Sequence, residues 1–183
     1  MSLTPVLYDF EIDYSDTDRE ISTHLRVRTA RHPSEALERL WLRVLAYCWK
    51  YEERLTFGPG LSDTEAPDLL ATDLTGQLTR WIRVGKTSAE KLQRVIDRNP
   101  SAKVTVLFES ALRLEQLLAE AREGGFSRIA RAELAVVDPD LVAALSESDV
   151  RRQKLQITLV GDRFYVTQGD NTVEGGLTFP PSS

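Results

Sequence analysis

The fold is decided by the stretch Pro67-Asp68-Leu69-Leu70-Ala71-Thr72-Asp73-Leu74-Thr75-Gly76-Gln77-Leu78-Thr79-Arg80-Trp81-Ile82-Arg83-Val84-Gly85-Lys86. Two carboxylates, Asp68 and Asp73, lie in its first part, where proline and glycine favour turns. Its second part alternates, with Leu78, Ile82 and Val84 on one face, which is typical of a β-strand. The stretch therefore predicts a core strand with acidic residues before it and basic residues at its end.

Outward from this strand, the pattern alternates between strands and helices. Val104–Phe108 is an uninterrupted apolar run, which predicts a central strand covered on both faces. Thr87 and Glu90 have the spacing of a capping box at the start of a helix. Residues 6–14 and 21–27 alternate as an antiparallel hairpin. The remaining predicted elements are helices at 33–51, 112–121 and 139–145, a strand at 129–137, a hairpin over 155–166 and a last strand at 173–179.

These elements predict an α/β (α+β) fold: one domain with a mixed central β-sheet flanked by helices and with β-hairpins at both ends. The chain has 183 residues, 42% of them hydrophobic, which is enough for a single core. We expect one domain over 1–183, with 179–183 as a mobile tail.

The composition limits the classes of function. The net charge is −5, so no global basic surface indicates nucleic acid. No stretch has the apolar length of a membrane span and none resembles a signal peptide, so we expect a cytoplasmic protein without membrane association. Cys48 is the single cysteine, and it lies in the apolar stripe of the first helix. We interpret it as a small buried side chain.

Charged residues recur at intervals of four along the first predicted helix. Glu35, Arg39 and Arg43 share one side of it, beside the apolar stripe. Such a series is usually a solvated ladder of ion pairs worth a few tenths of a kcal/mol each. His32, next to Pro33, is expected to cap the helix that we place from Pro33.

Several blocks of the sequence resemble the signature of the YaeQ family of bacterial proteins, and the resemblance covers nearly the whole chain in order. The first block is the most specific of them. The blocks are Arg31-His32-Pro33-Ser34-Glu35, Glu38-Arg39, Arg43-Val44-Leu45-Ala46, Glu53-Arg54-Leu55-Thr56-Phe57, Gly60-Leu61, Glu65-Ala66-Pro67-Asp68-Leu69, Asp73-Leu74-Thr75-Gly76 and Trp81-Ile82.

The resemblance implies a restriction-endonuclease-like fold, a variant of the PD-(D/E)xK nuclease superfamily, and it carries no established activity. In that superfamily, carboxylates hold Mg²⁺, which polarises the phosphate and activates water, and a nearby lysine stabilises the developing charge. The residues that match these roles are Asp68 or Asp73 for the first carboxylate, Glu35 or Glu38 for the helix acid, and Lys86 or Lys91 for the cation, with Arg94 at the helix position of the lysine.

Arg83 departs from this pattern, because sequences similar to YaeQ tend to have an acid after Trp-Ile. A unit charge pair 4 Å apart is worth roughly 4 kcal/mol at an effective dielectric constant near 20, and about twice that against a divalent ion. A cation at this position therefore opposes Mg²⁺, and Arg83 is expected to neutralise Asp68, Asp73 or Glu38 instead.

Two functions follow from these observations. The first is a non-catalytic descendant of the nuclease fold, without a cofactor, that binds nucleic acid through a local basic patch or binds a protein partner. The second is a Mg²⁺-dependent nuclease with Asp68, Asp73 and Glu38 as metal ligands. The binding residues expected for the first are Glu35 and Arg39 on the first helix together with the basic residues after Gln77. Those basic residues are Arg80, Arg83, Lys86, Lys91, Arg94 and Arg98. The alternative interpretation of these six basic residues is that they form a solvated charged surface.

Overall fold

A computed structural model describes residues 4–181 of the chain. The described chain forms one ten-stranded mixed sheet with the strand order β2-β1-β8-β9-β10-β7-β6-β5-β4-β3. The predicted α+β class with a mixed sheet and flanking helices is confirmed. The strands are β1 Val6–Asp16, β2 Ile21–Arg31, β3 Thr56–Phe57, β4 Leu69–Thr72, β5 Leu78–Val84, β6 Lys103–Phe108, β7 Glu133–Val137, β8 Arg152–Val160, β9 Arg163–Gln168 and β10 Asn171–Thr178. The helices are α1 Leu37–Trp49, α2 Ala89–Arg98, α3 Ala111–Gly124 and α4 Pro139–Leu145.

The centre of the sheet is parallel and covered on both faces. β5, β6 and β7 pair in parallel. On one face Ile82, Val84 and Leu107 belong to a core shared with α1 and α4. On the other face Trp81 and Val106 belong to a second core shared with α2 and α3. The continuous apolar run of β6 is explained by these two cores, as its sequence predicts.

The other end of the sheet is covered on one face only. In β1 the side chains of Tyr8, Phe10 and Ile12 are buried, and the Phe10 ring packs on Trp41 of α1 with ring centroids 5.3 Å apart. Asp9 and Glu11 point to the opposite, open face because successive residues of a strand alternate. β1 pairs antiparallel with β2 and parallel with β8, so three strands share this open face.

Four local predictions are wrong. Helix α1 begins at Leu37 with Ala36 as its N-cap, four residues after Pro33. His32 contacts the Ser34 hydroxyl at 2.6 Å in the turn before the helix and does not cap it.

The cap of α2 is Ser88, whose hydroxyl accepts a hydrogen bond from the Lys91 amide, and not Thr87. Residues 127–131 form a 3-10 turn before β7, where we predicted the first half of a strand.

The remaining observations concern the chain end, the thiol and the membrane. The Phe179 ring, which we assigned to the tail, packs against Trp49, and residues 182–183 lie outside the described part. Cys48 is buried, as predicted, and burial raises the pKa of its thiol to about 12. Within residues 4–181, the helices are too short or too polar to span a bilayer.

Candidate functional site

Asp68 is a buried carboxylate whose two oxygens are both engaged. It is 2% exposed and immediately precedes β4. Its Oδ1 accepts a hydrogen bond from the Arg39 guanidinium at 2.7 Å, and its Oδ2 accepts one from the Val84 amide at 2.8 Å. Arg83 Nε lies 3.8 Å from Oδ2, which is an ion pair without a hydrogen bond. The expected pairing of Arg83 with Asp68 is thus present.

The backbone fixes Asp68 in this place. Its amide donates to the Ile82 carbonyl at 2.9 Å, and its carbonyl accepts from the Gly58 amide at 2.8 Å. A Cβ at position 58 would collide with the carbonyl oxygen of Pro67, so the loop can approach this closely only with glycine. Asp68 is therefore held between the loop and β5.

Glu35 and Arg43 form a second, fully buried pair beside Asp68. Arg43 donates from Nε and Nη2 to the two Glu35 oxygens, both at 2.9 Å, and from Nη1 to Thr29 Oγ1 at 2.7 Å. Arg39 links this pair to Asp68, because it also lies 3.3 Å from Glu35. We call Glu35, Arg39, Arg43, Asp68 and Arg83 the buried ion cluster. It holds three cations and two carboxylates.

The prediction of a solvated ladder for Glu35, Arg39 and Arg43 is wrong. The side chains of Glu35 and Arg43 are each 1% exposed and that of Arg39 is 18% exposed. The physical reason is that α1 is buried around nearly its whole circumference, including Leu42 on the side away from the apolar stripe. Leu42 is the sequence signal for this burial, since an apolar residue is unusual on the side of an amphipathic helix opposite its apolar stripe.

Asp73, the other candidate carboxylate, stabilises the turn between β4 and β5. Asp68 precedes β4 and Asp73 follows it, so the strand separates the two residues by roughly 15 Å. Asp73 Oδ1 accepts from the Thr75 amide at 2.8 Å, the Thr75 hydroxyl at 2.6 Å and the Gln77 amide at 3.0 Å. These bonds, the Thr75 hydroxyl first, lower the pKa of Asp73. The structure does not bring the two candidate metal ligands together.

Glu38 and Lys86, two further candidates for the metal site, are exposed. Glu38 lies on the first turn of α1, and Lys86 follows Gly85, whose φ is +75°. Among residues 4–181, no three His, Cys, Asp or Glu side chains are grouped so that they could hold a metal ion.

The six basic residues do not share one surface. Arg80 and Arg83 alternate to opposite faces of β5, and Arg80 is paired with Glu52 at 3.1 Å. Arg94 is paired with Glu90 on the exposed side of α2 at 3.2 Å. Lys86 and Arg98 are exposed.

Lys91 and Arg83 both donate to the backbone of the loop that precedes Asp68. Each reaches the Thr64 carbonyl, and Arg83 also reaches the Ala66 carbonyl at 3.2 Å. Burial, and then the nearby Arg83 cation, lower the pKa of Lys91. These two cations fasten a loop, so only part of their charge faces solvent.

The fold and this site define a class: a mixed α+β protein in which a buried carboxylate, Asp68, is neutralised by arginines of the same chain. The YaeQ protein family model matches residues 1–176, and the chain belongs to the YaeQ family.

The relatives agree with this assignment. YaeQ of Salmonella typhi is 28% identical over 97% of each chain, and YaeQ of Escherichia coli strain K12 is 27% identical over 97% of each. Both are described as uncharacterised. The crystal structure of YaeQ from Pseudomonas syringae is similar with a TM-score of 0.85 and 28% identity over 98% of this chain and 97% of that one. The structure of YaeQ from Xanthomonas axonopodis pv. citri shares the fold, with a TM-score of 0.87 and 23% identity over 98% and 100%.

Proposed function

We propose that this chain is a non-catalytic protein with a restriction-endonuclease-like fold that acts by binding a partner and needs no metal cofactor. One observation carries the proposal. Asp68, one of the two candidates for the first carboxylate of a PD-(D/E)xK motif, has both oxygens engaged by Arg39, Val84 and Arg83.

The charges around Asp68 oppose a divalent cation. An arriving Mg²⁺ would have to displace the Arg39 hydrogen bond at 2.7 Å and would face the Arg83 cation, 3.8 Å from the same carboxylate. A repulsion of this kind costs several kcal/mol at an effective dielectric constant near 20, about twice the value for two unit charges. Hard divalent cations also require several oxygen ligands. Asp73 lies at the far end of β4.

The experiment is isothermal titration of Mg²⁺ and of Mn²⁺ into the purified protein, with cleavage assays on DNA and RNA. We expect no saturable binding by the natural protein and no metal-dependent cleavage. An Arg83→Glu variant supplies the strand acid, and an Arg83→Gln variant removes the cation without adding a ligand.

Each result has a definite meaning. Metal binding that appears in Arg83→Glu and not in Arg83→Gln identifies a nuclease-like site that a fixed cation has replaced. Saturable binding by the natural protein, with cleavage that Asp68→Asn abolishes, would overturn the proposal in favour of a Mg²⁺-dependent nuclease.

A further inference from the structure

The open face of β2, β1 and β8 carries cations on both sides of a central row of carboxylates. The register places Asp9 between Arg28 and Arg152, and Glu11 between Arg26 and Lys154. All six side chains point away from the core, because the alternate residues of β1 are the buried ones. We call Arg26, Arg28, Arg152 and Lys154 the arginine face. The row of carboxylates continues to Asp13, which lies 2.9 Å from His24. The four cations exceed the three carboxylates of the row by one, so this part of the surface is positive, on a chain whose net charge is −5.

The cations are more exposed than the two carboxylates between them, Asp9 and Glu11. The side chains of Arg26, Arg28 and Lys154 are 59%, 56% and 86% exposed, whereas those of Asp9 and Glu11 are 13% and 41% exposed. Together with Gln153 they line a shallow trough of about 330 Å³. A ligand that reaches this surface therefore meets the cationic side chains before the carboxylates of Asp9 and Glu11, which we call the acidic floor.

Much of the donor capacity of the arginine face is unused within the protein. Arg26 donates to Asp9 at 2.8 and 3.2 Å, but Arg28 approaches the same carboxylate only at 3.4 Å. Within residues 4–181, no hydrogen bond or ion pair of the Arg152 guanidinium is found. Each guanidinium presents several N–H groups in a planar fork that matches phosphate oxygens.

We propose that the arginine face binds the phosphate backbone of double-helical nucleic acid without regard to sequence. Arg26 and Arg28 are two residues apart on one strand, about 7 Å, and β2 and β8 lie on either side of β1, roughly 10 Å apart. A duplex carries one negative charge per about 1.7 Å of its axis, so several phosphates face an area of this size.

A duplex suits this surface better than unpaired strands do. Binding of unpaired bases normally uses exposed aromatic side chains as stacking platforms. The aromatic residues of β1, β2 and β8 are Tyr8, Phe10 and Tyr14 of β1, and all three are buried on the opposite face.

The inference goes beyond the proposed function, because it names a ligand and a surface that does not include Asp68. The two can fail separately. Metal-dependent cleavage would overturn the proposed function and leave this surface untouched. Absence of duplex binding would overturn this inference alone.

The test is fluorescence anisotropy of a short labelled DNA duplex titrated with the full chain. We expect affinity to fall about a hundredfold between about 50 and about 200 mM salt, the slope for roughly four phosphate contacts. The double reversal Arg28→Glu/Arg152→Glu should weaken binding at least tenfold and reduce the slope on a log–log plot from about 3.6 to about 1.8. Glu11→Gln should tighten binding.

Matched controls change the net charge equally on other surfaces. Lys103→Glu/Arg122→Glu alters two exposed cations on β6 and α3 and should leave the affinity within twofold. Arg94→Glu/Arg98→Glu tests α2, where the sequence predicted a basic patch. A larger loss in either control than in Arg28→Glu/Arg152→Glu would overturn the inference, as would absence of duplex binding at the lower salt concentration or weaker binding by Glu11→Gln.

Discussion

The buried ion cluster and the arginine face are built from the same residue types, arginine and carboxylate, yet they differ in what their charges can do. In the buried cluster Glu35 and Asp68 are each 2% exposed and their oxygens are bonded within the chain. On the arginine face Arg28 and Lys154 are more than half exposed. The comparison shows that burial, more than residue type, decides whether a charge is committed to the fold or available to a ligand.

The largest expected effect comes from breaking the buried pair. Glu35→Ala leaves Arg43 as an uncompensated cation that is 1% exposed. Removal of one partner of a buried ion pair typically costs about 3 to 5 kcal/mol. We expect a loss of that size in the free energy of unfolding measured with urea.

The matched control is Glu90→Ala, which breaks an exposed pair with Arg94 on α2. Exposed pairs four residues apart contribute about 0.3 to 0.5 kcal/mol, so the change should be small. If both variants lose the same stability, the distinction between the two regions is not supported.

A second, smaller effect should separate the two candidate carboxylates. Asp68→Asn keeps the shape of the side chain but removes the charge that faces Arg39 and Arg83. Hydrogen bonds to charged groups are worth about 1.5 to 3 kcal/mol, and we expect a loss in this range by urea unfolding.

Asp73→Asn is its control, because an asparagine oxygen can accept the same bonds from the Thr75 and Gln77 amides. The control should unfold almost like the natural protein. If Asp73→Asn loses as much free energy of unfolding as Asp68→Asn, the two carboxylates contribute equally to stability, which would contradict the difference in their contacts.

Neighbouring hydroxyls at the start of α2 extend the comparison to uncharged groups. Ser88 accepts from the Lys91 amide at 3.2 Å, so Ser88→Ala should cost about 1 kcal/mol. Thr87 Oγ1 is buried, and within residues 4–181 it has no hydrogen-bond partner. Thr87→Val should therefore be neutral or slightly stabilising in thermal unfolding, since it removes a buried hydroxyl without a bond. The opposite order of the two variants would restore Thr87 as the cap.

Much of the fold could be predicted from local patterns. The apolar run Val104–Phe108 predicted a strand covered on both faces, and Asp138-Pro139 predicted the start of a short helix, because each pattern reflects the immediate surroundings of its own residues. The parallel pairing of β1 with β8 could not be predicted in this way. It joins segments far apart in the sequence, and neither segment carries a local signal for the other.

The candidate site was predicted less completely. The pairing of Arg83 with Asp68 could be predicted, because a basic residue occupies the strand position where similar sequences tend to have an acid. The burial of Arg43 could not be predicted, because a charged residue on a helix is usually exposed to solvent, whereas α4 and the sheet enclose α1 in this fold. The arginine face was not predicted, since β2 and β8 contribute its cations from opposite ends of the chain and meet only across β1.

The smallest expected effect concerns the acidic floor of the arginine face. The hydrogen bond from Arg26 is the main cause that lowers the pKa of Asp9 below its ordinary value of 3.8, and the charges of Arg26, Arg28 and Arg152 add to it. A carboxyl group with a lower pKa in the folded state stabilises the protein above its unfolded pKa. This contribution is lost as the pH falls through the folded value. We therefore expect Asp9→Asn and Arg26→Gln to lose a little stability at neutral pH and to differ less from the natural protein below about pH 3.8.

Two measurements check this expectation. NMR titration of the Asp9 carboxyl should give a pKa below 3.8 in the natural protein and a higher one in Arg26→Gln. Added salt should raise the natural value, because exposed charges are screened over about 10 Å at 0.1 M. If neither salt nor Arg26→Gln changes the Asp9 titration, the cations are not held over the floor. The arginine face would then be a set of independent solvated side chains, in contrast to the fixed geometry of the buried ion cluster.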